Sequence, residues 1–167
     1  KELVFKEGDL VGLDLGMEHK GLFTDYAITV GIGKISPAAQ KLLDVTKECL
    51  RLGIAAAQAG NHLGDIGYAV QSYAEGLGYG VVRKLTGHGV GYAVHEDPKV
   101  PNFGQAGEGE ELKAGAVLAI EPMINFGNQD IKTADDGWGV VTADGSLAAH
   151  FEHTAAITKE GPRILTL

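Results

Sequence analysis

The sequence has a single cysteine, Cys49, so no intrachain disulfide can form and nothing points to an oxidising compartment. It is also short of positive charge. With 14 Lys and Arg against 22 Asp and Glu, the net charge is −8, the wrong sign for a surface that must neutralise phosphates, and nucleic acid is disfavoured as a partner. No apolar run approaches the roughly 18 residues that a membrane span needs, although 44% of the residues are apolar. Low-complexity stretches and linkers are lacking too, and no signal peptide is expected. These exclusions leave a soluble, cytoplasmic protein of 167 residues, long enough to bury one core and read as a single domain over 1–167. Residue 1 is Lys rather than Met, so the expectation is that something upstream is missing or was removed.

What is present divides by period. Residues 2 to 33 alternate in short apolar runs, "LVGLDLG" and "DYAITVGIG", which predicts an antiparallel hairpin with a long turn through "MEHKGLFT". Ser36 is a good N-cap and Pro37 suits the first helical position. Ala39, Leu42, Leu43, Thr46, Cys49, Leu50, Ile54 and Ala57 then recur at helical spacing until Gly60. A second helix is expected from about Asp65 to Gly78, with Ile66, Ala69, Val70, Tyr73 and Leu77 on one face. Beyond it, "YGVVRKLTG", "AVLAIEPMINF", "GWGVVTA" and "AAHFEHTAAIT" read as strands, the last two joined by a turn at "DGS". The order predicts an α+β fold in which two helices cover one face of a mostly antiparallel sheet.

Polar residues that interrupt the apolar strands carry the chemistry. Asp14 lies in "VGLDLG", Glu121 in "LAIEPMI" and Glu152 in "HFEHTAAI", each where a carboxylate is expected to be at least half buried. Any one of them alone is also compatible with a solvent-facing strand position. Taken together with Asp25 and His88 they form an oxygen-rich set that suits Mn²⁺, Fe²⁺ or Co²⁺ better than a thiolate zinc site does. Four carboxylates match the charge of two dications, and two close metal ions can share a water, lower its pKa and clamp a substrate oxygen, so hydrolysis is the expected chemistry. In "GHGVGYAVHEDP" the glycines leave His88 free to turn toward the metals, which leaves His95 for the substrate. The alternatives are a turn histidine donating to a nearby carbonyl for His88, and a surface ion pair with Glu96 and Asp97 for His95. His19, His62, His150 and His153 carry no comparable context.

An Asp in a strand, Asp25 eleven residues later, "GHGVG…HEDPKVPN", "IEPM" and "FEHT", in this order, resemble the type I methionine aminopeptidases of the pita-bread metallopeptidase family. The resemblance extends over essentially the whole chain, including "GDIGYAVQSYAE" and "DDGWGVVTADGSLAAHFEHT". It implies a pita-bread fold and removal of N-terminal methionine from nascent proteins and peptides by a water held between two divalent ions (Co, Mn, Fe or Zn). Asp14, Asp25, His88, Glu121 and Glu152 would be the ligands, with Asp25 and Glu152 bridging. His95 would contact the scissile carbonyl, Glu121 would also handle the proton of the water, and Trp138 would wall the pocket for the methionine side chain; ordinary edge packing of a hairpin is the other reading of Trp138. The implied partners are a peptide or nascent-protein N-terminus as substrate and, as a further candidate, the ribosome; neither nucleic acid nor a membrane is expected.

"IEPM", in place of the Glu-Pro-Gly of proline-specific relatives, favours the methionine enzymes, and no long insertion of the type II kind interrupts the helical region. Val94 stands where many relatives carry a larger residue, which would widen the pocket. The resemblance also implies a segment before the hairpin, with two helices, a strand and a further substrate-contacting histidine. Without it the expectation is an exposed apolar patch near "LVGLDLG" and "AITVGIG", self-association and weak hydrolysis; with it, an active monomer. Two other functions fit the same fold: an aminopeptidase or dipeptidase for Xaa-Pro peptides, and a binding module without catalysis.

Overall fold

A computed structural model of the chain describes residues 4–166. Two long strands, β1 (Leu10–His19) and β2 (Leu22–Gly31), are followed by two helices, α1 (Pro37–Ala56) and α2 (Leu63–Gly76). Ten short strands then follow: β3 (Gly80–Val81), β4 (Gly87–Gly89), β5 (Glu96–Val100), β6 (Val117–Ile120), β7 (Met123–Asn125), β8 (Ile131–Thr133), β9 (Val140–Thr142), β10 (Ala148–His150), β11 (Glu152–Thr158) and β12 (Gly161–Ile164). The main sheet runs β1-β2-β11-β6-β4-β5, with β12 also on β11; β10-β7-β3 and β8-β9 form smaller sheets. The pairings are antiparallel, as the segregated order of strands and helices predicts.

The local signals for α1 operate as read. Ser36 Oγ accepts from Ala39 N at 3.1 Å, and Pro37 opens the helix, where a missing N–H leaves no bond unmade. All eight residues of the predicted stripe, from Ala39 to Ala57, are buried. On α2 the stripe narrows. Ile66 and Val70 are fully buried, but Leu77 is exposed because the helix ends at Gly76 before its next turn reaches the sheet. The N-cap position of α2 is His62, whose backbone N donates to Asp65 Oδ2 at 2.7 Å. Both helices lie on one face of the sheet, over a core built around Leu42, Ile66, Leu118, Ile120, Ile124 and Ile157.

Several strand expectations are corrected. The β1–β2 turn is tight: Lys20 and Gly21 take φ of 53° and 79°, the pair of positive angles that a two-residue hairpin turn requires. Of "YGVVRKLTG" only Gly80–Val81 is a separate strand, and Gly87 begins β4. "AVLAIEPMINF" is broken at Glu121-Pro122 into β6 and β7, which belong to different sheets. Proline cannot supply a ladder N–H, so the ladder stops there. Nor do "GWGVVTA" and "AAHFEHTAAIT" pair across "DGS": β9 pairs with β8, and β10 with β7.

At the outer edge, β1 is exposed on both faces over most of its length, and Leu13, Leu15 and Met17 project on the helix side beyond the reach of α1. A cavity of about 450 Å³ lies between α1 and the adjoining strands β2 and β11, with Ile28, Leu50, Ile54 and Phe151 in its wall.

Two glycines of α2 separate packing from propensity. At Gly67 a Cβ would collide with the Phe103 backbone carbonyl, whereas at Gly76 nothing lies within 4 Å. Helix propensity alone favours Ala over Gly by about 0.8–1.0 kcal/mol at either position. Gly76→Ala is therefore expected to raise stability by up to about 1 kcal/mol, and Gly67→Ala to lower it by about 1–3 kcal/mol, both read from urea unfolding. A gain at Gly67 would contradict the close helix–loop contact.

Candidate metal centre

Register builds the site. On β1–β2 Asp14 stands opposite Ala27, and Asp25 opposite Gly16, so the two carboxylates are diagonal neighbours on one face. Ala27 in turn stands opposite Glu152 of β11. Farther along the sheet Ala119 of β6 faces both Thr154 of β11 and His88 of β4. Small side chains at Ala27 and Ala119 leave space between the polar groups of neighbouring strands. Glu121 follows β6 at the break before Pro122 and turns toward the same space.

The result is three overlapping groups: Asp14, Asp25 and Glu152; His88, Glu121 and Glu152; Asp25, His88 and His95. Within each group one donor atom per residue lies within 4.8 Å of the others. Asp25, His88 and Glu152 are buried, Glu121 is half-buried, and Asp14 and His95 are exposed. The expectation that all three strand acids are at least half buried is thus corrected for Asp14, which sits on the open edge strand.

His88 does two things at once. Its Nδ1 lies 2.9 Å from the Gly89 carbonyl, a geometry in which Nδ1–H donates, so that in the neutral ring the lone pair is on Nε2. That Nε2 points at Asp25 Oδ2 (3.8 Å) and Glu121 Oε1 (3.5 Å). Its flanking glycines are set by packing, since the segment is a strand and not a turn. A Cβ at Gly87 would meet the Ala119 carbonyl, and one at Gly89 the Asp97 carbonyl. The His95 ring lies 4.3 Å from that of His88, and both line an open cavity with Thr86, Glu96, Asp97 and Lys99.

Electrostatically the cluster is one-sided. Among the described residues no Lys or Arg forms an ion pair with Asp14, Asp25, Glu121 or Glu152. Burial, with Glu121, Asp25 and Asp14 close by, pushes the Glu152 carboxyl from its ordinary 4.5 up to about 9. The residues therefore fit a divalent cation: hard oxygen donors in excess, an imidazole with a free lone pair, and a buried acid that holds its proton for want of a positive neighbour.

Residues that the sequence reading passed over hold the set in place. Thr154 Oγ1 accepts from Asp25 N and donates to Asp25 O, both at 2.8 Å, which ties β11, the strand of Glu152, to β2, the strand of Asp25. Asn102 Nδ2 donates to the Glu121 carbonyl at 2.9 Å. His150 Nε2 lies 3.4 Å from Glu121 Oε2. The motifs "FEHT" and "KVPN" contain Thr154 and Asn102, but their partners are distant in sequence. Val94 sits beside the site, its Cγ2 3.3 Å from where a Cβ on Gly16 would lie. His153 stacks on Tyr26 and bonds Thr166, with burial lowering its pKa. Trp138 is 91% exposed at the tip of the β8–β9 hairpin, where Asp136 Oδ1 accepts from its backbone N, and it lines none of the cavities described above.

Residues 1–159 match the model of metallopeptidase family M24. The chain is 53% identical over 162 residues to a methionine aminopeptidase of Clostridium perfringens, covering 97% of this chain and 65% of that protein. With one of Clostridium acetobutylicum it shares 51% over 167 residues, covering 100% and 67%. It thus spans about two thirds of the length of the curated relatives it matches. The crystal structure of methionine aminopeptidase from Thermotoga maritima superposes with a TM-score of 0.95 at 45% identity, over 98% of this chain and 66% of that one. Prolidase from Pyrococcus furiosus, at 24% identity and a TM-score of 0.77 over 97% of this chain and 42% of that one, shares the fold. Sequence, fold and the acid-rich cluster on the sheet agree, and the chain belongs to metallopeptidase family M24.

Proposed function

We propose that this chain is a metallopeptidase catalytic domain that removes N-terminal methionine from peptides and nascent proteins, using two divalent ions. The observation that carries the reading is the convergence of Asp14, Asp25, His88, Glu121 and Glu152 on one sheet face with no organic cation among them. The resemblance to methionine aminopeptidases over the whole chain supports the substrate class. When bound, the ions would supply a water of lowered pKa and polarise the scissile carbonyl.

The chain's own residues divide the remaining work. Asp25 and Glu152, the buried pair, are central enough to serve both ions, with Asp14 and His88 on opposite sides of them. Glu121 keeps one carboxylate oxygen toward His88 and would also take up the proton released by the water. His95, exposed on the wall of the open cavity, is in position to meet the substrate carbonyl.

Metal analysis of the purified protein, alongside assays of Met-Ala-type and Xaa-Pro-type peptides, tests the reading. Release of Met with metal bound is expected; preference for Xaa-Pro peptides would assign the dipeptidase alternative, and metal without turnover the binding module. Asp25→Asn and Glu152→Gln should each abolish hydrolysis, because a neutral amide bridges two cations poorly. Activity within a few-fold of the parent would refute the dinuclear centre. His95→Ala should lower turnover far more than metal content; proportional loss of both would make His95 a ligand, a role its place beside Asp25 and His88 also permits.

Metal removal has a signed pH effect. Because the folded-state pKa of Glu152 is raised to about 9 from 4.5, the folded metal-free chain keeps a proton that the unfolded chain releases between those values. Stability should therefore fall as pH rises from about 5 to about 9. Glu152→Gln should flatten that slope, and Mn²⁺ should raise the melting temperature most at the alkaline end. A metal-free parent that melts higher at alkaline pH would contradict the crowded-carboxylate description.

A further inference from the structure

Glu121 stands between two imidazoles. Its Oε1 is 3.5 Å from His88 Nε2, and its Oε2 is 3.4 Å from His150 Nε2. His88 belongs to the groups whose donor atoms converge within 4.8 Å; His150 does not. Its Nε2 is nevertheless buried without a hydrogen-bond partner. A buried polar nitrogen left unpaired costs about 1–3 kcal/mol, so an unpaired ring nitrogen beside a carboxylate oxygen invites an explanation.

The ring's placement is well determined. Thr29 Oγ1 donates to the His150 carbonyl at 2.8 Å and accepts from the His150 N at 2.9 Å, so one side chain holds both backbone groups of the residue. Pairing of His150 with Met123 brings β10 alongside β7, two residues beyond Glu121. On its other side the ring closes an apolar cavity of about 210 Å³ lined by Val82, Leu85, Met123, Ile131 and Val141. A hydrogen bond at such an apolar boundary is stronger than one in water.

We propose that His150 is a positioning residue: as the neutral tautomer with hydrogen on Nε2, it donates to Glu121 Oε2 and so aims Glu121 Oε1 toward His88 Nε2, with which it would hold a metal. The inference rests on the metal-centre reading given above. The separation of 3.4 Å is long for an N–H···O bond, and a small rotation of the ring or the carboxylate closes it. The two imidazoles then have complementary tautomers. His88 spends its N–H on the Gly89 carbonyl and offers a lone pair, while His150 offers its N–H to the other oxygen of the same carboxylate. Carboxylates that ligate metals are typically fixed by such outer hydrogen bonds.

The test compares the parent chain with His150→Gln and His150→Leu by calorimetric titration with Mn²⁺ alone, and by the visible spectrum of the Co²⁺-loaded proteins. Gln keeps an N–H donor of similar reach; Leu fills the apolar cavity wall but donates nothing. His150→Leu is expected to weaken Mn²⁺ binding about tenfold or more and to alter the Co²⁺ spectrum, whereas His150→Gln stays close to the parent in both. Parent-like affinity in His150→Leu, or equal losses in the two variants, overturns the proposal. Should either variant fail to fold, the ¹⁵N spectrum of the Zn²⁺-loaded parent decides: hydrogen on Nε2 of His150 is expected, and hydrogen on Nδ1 overturns it. A parent that binds no Mn²⁺ would instead refute the metal-centre reading itself, before either variant is compared.

Discussion

Four carboxylates on one face of a sheet repel one another, and relief of that repulsion is the constraint on which the rest of this architecture turns. Asp14, Asp25, Glu121 and Glu152 share the space with His88, and no Lys or Arg among the described residues pairs with any of them. In a half-buried site the mutual repulsion is not screened as it is in water, so the arrangement persists by holding a proton or by taking up positive charge. A divalent cation would do the second, and the geometry around the cluster leaves room for one: alanines at 27 and 119 clear the space, and glycines at 87 and 89 let β4 approach its neighbours closely enough to bring His88 to the cluster.

Because side chains alternate along a strand, the site exists in only one register. A slip of β1 by one residue against β2 would send Asp14 to the helix side and bring Leu13 and Leu15 to the face that carries Asp25. Three side-chain clamps hold the remaining strands and loops of the cluster in place. Thr154 grips Asp25, Thr29 grips His150, and Asn102 holds the carbonyl of Glu121. The helices contribute from the other face by burying the apolar side of β2, β6 and β11, so the sheet is a rigid floor for the polar groups above it. The centre remains open on two sides, at the edge strand that carries Asp14 and at the cavity that carries His95.

The two faces of β1 differ in what they leave in water. Toward the face of the acid cluster they offer Asp14 and two glycines; toward the helix side they leave Leu13, Leu15 and Met17 exposed, because α1 and α2 do not extend that far. The cavity between α1 and the adjoining strands lies where α1 covers only part of the sheet that its neighbours form.

The features legible in the sequence were those with local causes. The cap at Ser36 and Pro37, the eight-residue stripe of α1 and the pairing of β1 with β2 all depend on neighbours within a turn or a strand, and each lies where the periodicity puts it. Residue types and order also sufficed to assemble the ligand candidates, because a carboxylate in an apolar strand is costly wherever that strand pairs. Tertiary structure decided the rest. Local pattern does not reveal that "AVLAIEPMINF" divides between two sheets at Pro122, that Leu77 overshoots the end of α2, that Trp138 stands in solvent at a hairpin tip, or that Asp14 sits at an exposed edge. His150 is the sharpest case: in sequence it is one of four histidines without comparable context, and the role proposed for it arises only where β10 lies against β7 and brings its ring to Glu121. The sequence by itself determined which groups had to be compensated, since the cost of burying charge belongs to the residue; which groups compensate one another was decided by contacts between strands far apart in the chain, such as Thr154 with Asp25 across 129 residues, and register sets those contacts only when the whole sheet closes.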